Sequence, residues 1–152
     1  MDHLDKQILS ALQNDFPLSE RPYEVIAAKV GADVDEVFRR VQLLVGEGAI
    51  RRLGASLDSR KLGYSSTLAA VRVQESQIDV ASQVISDYPE VTHSYLRDNE
   101  FNIWFTLIAT DTGAIAGILE AIRLKLGLGP DDVLNLPVQK LFKLDARFKA
   151  AD

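Results

Sequence analysis

At 152 residues, 47% of them hydrophobic and 26% charged, the chain can bury a real core as one domain or as two small ones. A formal net charge of −5 argues against a surface built to coat nucleic acid, though it leaves room for a local basic patch. The absence of cysteine excludes disulfides, thiolate metal sites and cysteine nucleophiles.

The opening Met1-Asp2-His3-Leu4-Asp5-Lys6 lacks the basic-then-apolar order of a secretion signal. No apolar run approaches the ~20 residues a bilayer span needs, so a cytoplasmic protein is expected. Leu4, Ile8, Leu9 and Leu12 recur at helical spacing behind Asp2 as N-cap. Phe16-Pro17-Leu18-Ser19-Glu20-Arg21-Pro22 breaks that helix. A short second helix runs from Pro22 to Lys29 and stops at Gly31. Asp33 then caps a third helix whose apolar face is Val34, Val37, Phe38, Val41, Leu44 and Val45. Gly46 and Gly48 end it, and Ala49 to Ala55 begins an extended segment. Three helices followed by a strand predict a winged helix-turn-helix over residues 1–57.

Past Tyr64 the period changes. Thr67 to Val73 predicts a strand, Ile78 to Ile85 a helix, and Val91–Arg97 with Phe101–Thr110 two more strands. Ile115, Ile118, Leu119, Ile122 and Leu126 predict a second helix, and Val138–Leu144 a last strand. The order β-α-β-β-α-β assigns residues 58–152 to a ferredoxin-like domain, which makes the chain α+β.

The richest chemistry falls between Val91 and Phe105. Val91, Leu96, Phe101, Ile103 and Phe105 read as core-facing, and His93, Tyr95, Arg97, Asn102 and Trp104 as sharing the other face. An imidazole beside Tyr95 and Arg97 can donate a proton near neutral pH while the guanidinium holds an anion. The bland alternatives are a structural histidine and a decorated solvent face. Arg51-Arg52 and Arg60-Lys61 flank the domain junction and are either solvated surface pairs or a clamp for several carboxylates. The third helix begins with Asp33, Asp35 and Glu36, which phosphate repels, and Arg39 and Arg40 follow them. That helix-turn-helix is therefore read as a dimerisation or scaffolding unit, with operator binding as the alternative. No phosphate loop, metal-ligand spacing or serine triad stands out.

The arrangement resembles the Lrp/AsnC architecture throughout the chain. Within it, Asp15-Phe16-Pro17-Leu18, Arg21-Pro22-Tyr23, Ile50 to Ala55, Asp58 to Tyr64, Tyr88 to Arg97, Phe101 to Phe105, Leu136-Pro137 and Phe142-Lys143 resemble siroheme decarboxylase. The early Phe-Pro-Leu and Arg-Pro segment is similar to its B-type subunit, or to the NirD-like subunit of denitrifiers. The turn from Arg97 to Asn102 lacks the Gly-Asp typical of amino-acid-responsive regulators.

The resemblance implies that siroheme, an iron tetrapyrrole, loses carbon dioxide from two acetate side chains. The product, didecarboxysiroheme, would feed an alternative haem route or haem d1 synthesis. His93, Tyr95 and Arg97 are then the catalytic candidates, and Arg51, Arg52, Arg60, Lys61, Phe101 and Trp104 the substrate-binding ones. No cofactor is required, and no metal site is expected beyond the substrate's own iron. For His93 two roles stay open, proton donor or axial ligand to that iron. The partner is a paralogous subunit or a second copy, with no membrane and no DNA expected. A Lrp/AsnC-type regulator and a haem-sensing regulator are the alternatives.

Overall fold

The computed structural model describes residues 1–144 and Arg147, and the chain divides into two compact units. Met1–Ala55 belongs to the first unit, joined by the described residues from Lys143 onward, and Ser56–Phe142 forms the second.

In the first unit three helices follow each other: α1 (His3–Asn14), α2 (Pro22–Val30) and α3 (Val34–Gly46). A reciprocal capping box starts α1. The Asp5 N–H donates to Asp2 Oδ1 at 2.9 Å, and the Asp2 N–H donates to Asp5 Oδ2 at 2.8 Å. Gly31, at φ +68°, closes α2 in the left-handed conformation that glycine adopts without strain. Asp33 then caps α3 by accepting from the Asp35 N–H at 2.8 Å. Ile8, Ala11, Ile26, Ala27, Val37, Val41 and Leu44 form the buried centre, and Ile50 closes it. The wing strand expected over Ala49–Ala55 is absent. That segment carries no sheet ladder, and the burial of Ile50 beside Leu44, whose carbonyl accepts its N–H, uses it as a lid on the helices.

The second unit is β1 (Ser65–Val71), α4 (Ile78–Ser86), β2 (Val91–Leu96), β3 (Ile103–Ala109), α5 (Thr112–Lys125) and β4 (Val133–Pro137). The strands form one antiparallel sheet in the order β2-β3-β1-β4. Both helices cover one face of it. Ala69, Val71, Ile103, Phe105 and Leu107 pack there against Ala81, Ile85, Ile115, Leu119 and Ile122. This is the expected ferredoxin-like arrangement.

The last strand lies earlier than Val138–Leu144. Pairing with β1 ends where Pro137 faces Thr67, and a proline is tolerated at such an edge because the ladder needs no further N–H from it. Beyond it Val138, Leu141, Phe142 and Leu144 have no strand partner and stay exposed.

Candidate active site

The sheet face opposite α4 and α5 is bare, and its cross-strand register builds two rows. In one, His93 lies opposite Thr106, Thr106 opposite Leu68, and Leu68 opposite Leu136. In the other, Tyr95 faces Trp104, Trp104 faces Ala70, and Ala70 faces Leu134. The face is apolar along β1 and β4 and aromatic along β2 and β3.

A bulge puts His93 on it. Val91 pairs with Leu107 while His93 pairs with Thr106, so Thr92 is an extra residue in β2. Without it, residues two apart would share a face, and His93 would follow Val91 toward the core. Val91 and Leu96 were both expected to face the core although their parity differs. The bulge puts both on the helix side of the sheet, but only Val91 packs against the core and Leu96, at the strand end, stays exposed. The extra Thr92 also holds the imidazole, with its Oγ1 3.0 Å from His93 Nδ1. Nε2 has no partner among the described residues and points its chemistry outward. The Tyr95 ring lies nearly parallel to the imidazole, at 16° and 6.3 Å between centroids.

The hairpin tip is more constrained than its exposure suggests. Trp104 Nε1 donates to the Phe101 carbonyl at 2.7 Å, which fixes the indole against the tip. Asn102, expected beside His93 as part of a polar face, spends its amide on the chain just past β1. Its Nδ2 donates to the Val73 carbonyl at 2.8 Å, and its Oδ1 accepts from the Val73 N–H at 3.2 Å. Phe101 is half-buried with the Arg72 guanidinium 5.4 Å above its ring, so that side of the ring is taken. Arg97 carries an exposed guanidinium with no carboxylate partner among the described residues.

The structure therefore gathers His93, Tyr95, Arg97, Phe101 and Trp104 on one hairpin, and distributes the other basic candidates elsewhere. Arg51 and Arg52 belong to the first unit, both exposed, with Arg52 Nη2 donating to the Ala55 carbonyl at 3.2 Å. Arg60 and Lys61 sit in a short 3-10 turn, Ser59–Leu62, that leads into β1. Arg60 is committed to Asp58, with Nε on Oδ1 and Nη2 on Oδ2 at 3.1 Å each. That pairing holds the Asp58 carboxyl below its usual range. Lys61 has no such partner among the described residues.

In the first unit the charge of α3 is internally spent. Arg39 grips Glu36 with two bonds of 2.9 and 2.8 Å. Arg40 bonds Glu36 at 2.6 Å, Asp2 at 2.6 Å and Asp5 at 2.8 Å. Hydrogen bonds from Arg39 and Arg40 lower the Glu36 carboxyl to about 2, and Arg40 with the Asp5 N–H does the same for Asp2. The two shallow grooves beside these helices, of about 190 and 240 Å³, fall below the ~300–1,000 Å³ typical of pockets for small organic ligands.

Two contributors escaped sequence reasoning. Thr92 carries no motif, although the mismatched parity of Val91 and Leu96 was a usable signal for a bulge. Arg72 meets Glu100 and Asp132, residues far apart in the chain, and no local pattern announces such a pairing.

Comparison with known proteins follows the two units. Residues 5–51 match the siroheme decarboxylase NirDL-like HTH domain, and residues 61–143 the AsnC-like ligand binding domain. The siroheme decarboxylase alpha subunit of Desulfovibrio desulfuricans is 42% identical over 149 residues, covering 98% of this chain and 84% of that relative. A crystal structure of siroheme decarboxylase NirDL in co-complex with an iron-uroporphyrin III analogue superimposes with a TM-score of 0.69 at 28% identity. The match covers 88% of this chain and 44% of that one. An AsnC family transcriptional regulator from Agrobacterium tumefaciens superimposes with a TM-score of 0.75 at 26% identity, covering 97% and 96%. Backbone likeness alone thus does not separate enzyme from regulator, and sequence identity and site chemistry decide.

Proposed function

Because the chain belongs to the siroheme decarboxylase family, we propose that the open hairpin face of its second unit is where siroheme is held and decarboxylated. The observation that carries this reading is the outward His93 Nε2, set on an aromatic sheet face beside Tyr95, with the unpaired Arg97 on the same hairpin.

Siroheme is a flat ring rimmed with carboxylates. The Trp104 indole and Tyr95 ring supply flat contact, and Arg97 supplies a guanidinium that matches carboxylate geometry. On the same unit Lys61 adds a cation that meets no carboxylate among the described residues, whereas Arg60 must first release Asp58. When an acetate carboxylate breaks its carbon–carbon bond, carbon dioxide leaves and the electron pair spreads into the conjugated macrocycle. The former acetate carbon then needs one proton. His93 Nε2 delivers it, with Tyr95 alongside and Thr92 fixing the ring through Nδ1. The same held imidazole suits axial ligation of the substrate's iron, since metal-binding histidines are oriented through their second nitrogen. Decarboxylation of both acetates gives didecarboxysiroheme, the product assigned to haem or haem d1 synthesis.

The relatives are named as alpha, NirD, NirG and NirDL subunits, so the working enzyme is built from like-folded subunits. The β1–β4 end of this same face, with Leu68 and Leu136 exposed, is where a paralogous subunit or a second copy packs, leaving the β2–β3 end to the substrate. No helix among the described residues is long and apolar enough to cross a membrane. DNA recognition is not part of this reading, because Arg39 and Arg40 already carry Glu36, Asp2 and Asp5.

Anaerobic incubation of the purified chain with siroheme, alone and with its paralogue, tests the proposal. Mass spectrometry is expected to record successive loss of carbon dioxide in at least one condition. An unchanged tetrapyrrole in both would dismiss the reading.

A further inference from the structure

We propose that Arg72 is a positioning residue that locks the tip of the β2–β3 hairpin, and through it Trp104 and Arg97, into the arrangement siroheme meets. The proposal rests on the decarboxylase reading given above.

Arg72 stands just past the end of β1, and its contacts reach two segments that are otherwise separate. Its backbone N–H donates to the Asp132 carbonyl at 2.9 Å, continuing the β1–β4 side of the sheet. On the same side its Nε and Nη2 both approach Asp132 Oδ1 at 2.8 Å. On the other side Nη1 pairs with Glu100, and the guanidinium plane lies over the Phe101 ring. The turn before β4 and the hairpin tip are thereby tied to one cation.

Asp132 is itself held, because its Oδ2 accepts the Gly129 N–H at 2.9 Å. Asp132 is thus held from two sides, by Arg72 and by its own turn, so the constraint passes to the tip.

What the tip carries makes the constraint matter. Phe101 offers its carbonyl to the Trp104 indole, and the Asn102 carbonyl accepts the Arg97 N–H at 2.8 Å. Arg97, Asp98, Asn99 and Glu100 are all exposed, and an exposed turn without anchors is drawn from the least ordered part of a fold. Arg72 differs in kind from Arg97. Its charge is already taken by Asp132 and Glu100, so it orders the tip and does not bind the substrate carboxylates. Partly exposed ion pairs add little to global stability, so the effect belongs in local order.

The test uses the full chain with its paralogue and the variants Arg72→Met, Arg72→Lys and Glu100→Gln. Trp104 is the sole tryptophan of this chain, so its fluorescence anisotropy, recorded on the chain without the paralogue, reports this tip directly. Arg72→Met is expected to lower that anisotropy and speed amide exchange across residues 97–102, with little change in melting temperature. The KM for siroheme should rise on the order of tenfold while kcat changes less. Arg72→Lys should restore only part of the order, since an ammonium cannot fork between two carboxylates. Glu100→Gln removes one exposed arm and should loosen the tip in the same direction, which keeps the test open should Arg72→Met not fold. Unchanged anisotropy and exchange in both Arg72→Met and Glu100→Gln would overturn the proposal, as would a loosened tip with KM unmoved. These order measurements are made without substrate, so a failure of the siroheme reading, seen as a native enzyme without turnover, is told apart from a failure of this one.

Discussion

His93 illustrates how little of a reactive side chain's meaning lies in its own identity. An exposed histidine on a strand is ordinary; one whose Nδ1 is engaged by Thr92, whose flank is covered by Tyr95, and whose Nε2 is open has one nitrogen left for chemistry. Replacing it with alanine removes the proposed proton donor and leaves Arg97 and Trp104 in place. His93→Ala should therefore lower turnover on the order of 10²-fold or more while tetrapyrrole binding is largely retained. Single-turnover mass spectrometry beside a binding titration checks this, and a variant with native turnover would remove His93 from the reaction. If the imidazole ligates the substrate's iron, the same variant shifts the visible spectrum of the bound tetrapyrrole. Tyr95 and Trp104 were legible as neighbours on one face because strand alternation sorts side chains, whereas His93 parts from Val91 only through the Thr92 bulge. Asn102 was misread as part of that polar face, because a pattern gives direction and not the partner that captures an amide.

Elements explain where legibility ended. The helices of the first unit, with their caps and glycine stops, could be placed to within a residue or two, because capping is a local code of a few side chains. β4 could not, since Val138–Leu144 has the better strand composition and Val133–Pro137 has the partner. The charged residues of α3 were visible too, but not that Arg40 reaches back to Asp2 and Asp5 on α1. That network has a pH signature. Asp2 and Glu36 titrate lower in the folded chain than in the unfolded one, so the unfolded state takes up their protons first as pH falls. Their stabilisation is complete above the usual carboxylate range and is lost as pH drops from about 4 toward 2. Arg40→Gln should flatten the acid limb of helical circular dichroism in that window and lower stability at neutral pH. An unaltered profile would show the network to be inert.

At the scale of the whole molecule, one sheet face covered by helices and the other bare describes a subunit and not a finished enzyme. Leu68 and Leu136 lie side by side on that bare face, 42% and 44% exposed, a hydrophobic surface that association would shield. Leu68→Glu should convert the associated form to monomer in light scattering and cut turnover, with the melting of the isolated chain little changed. Association that survives the substitution would place the partner elsewhere. The Thr92 bulge bears on association in another way. β2 is an outer strand, and a straight outer strand invites a stranger's backbone to dock along it and then another upon that. The extra residue breaks the spacing of hydrogen-bonding groups such a stranger would copy. One kink therefore sets the imidazole on the open face of the sheet and also deprives β2 of a template for self-propagating fibres.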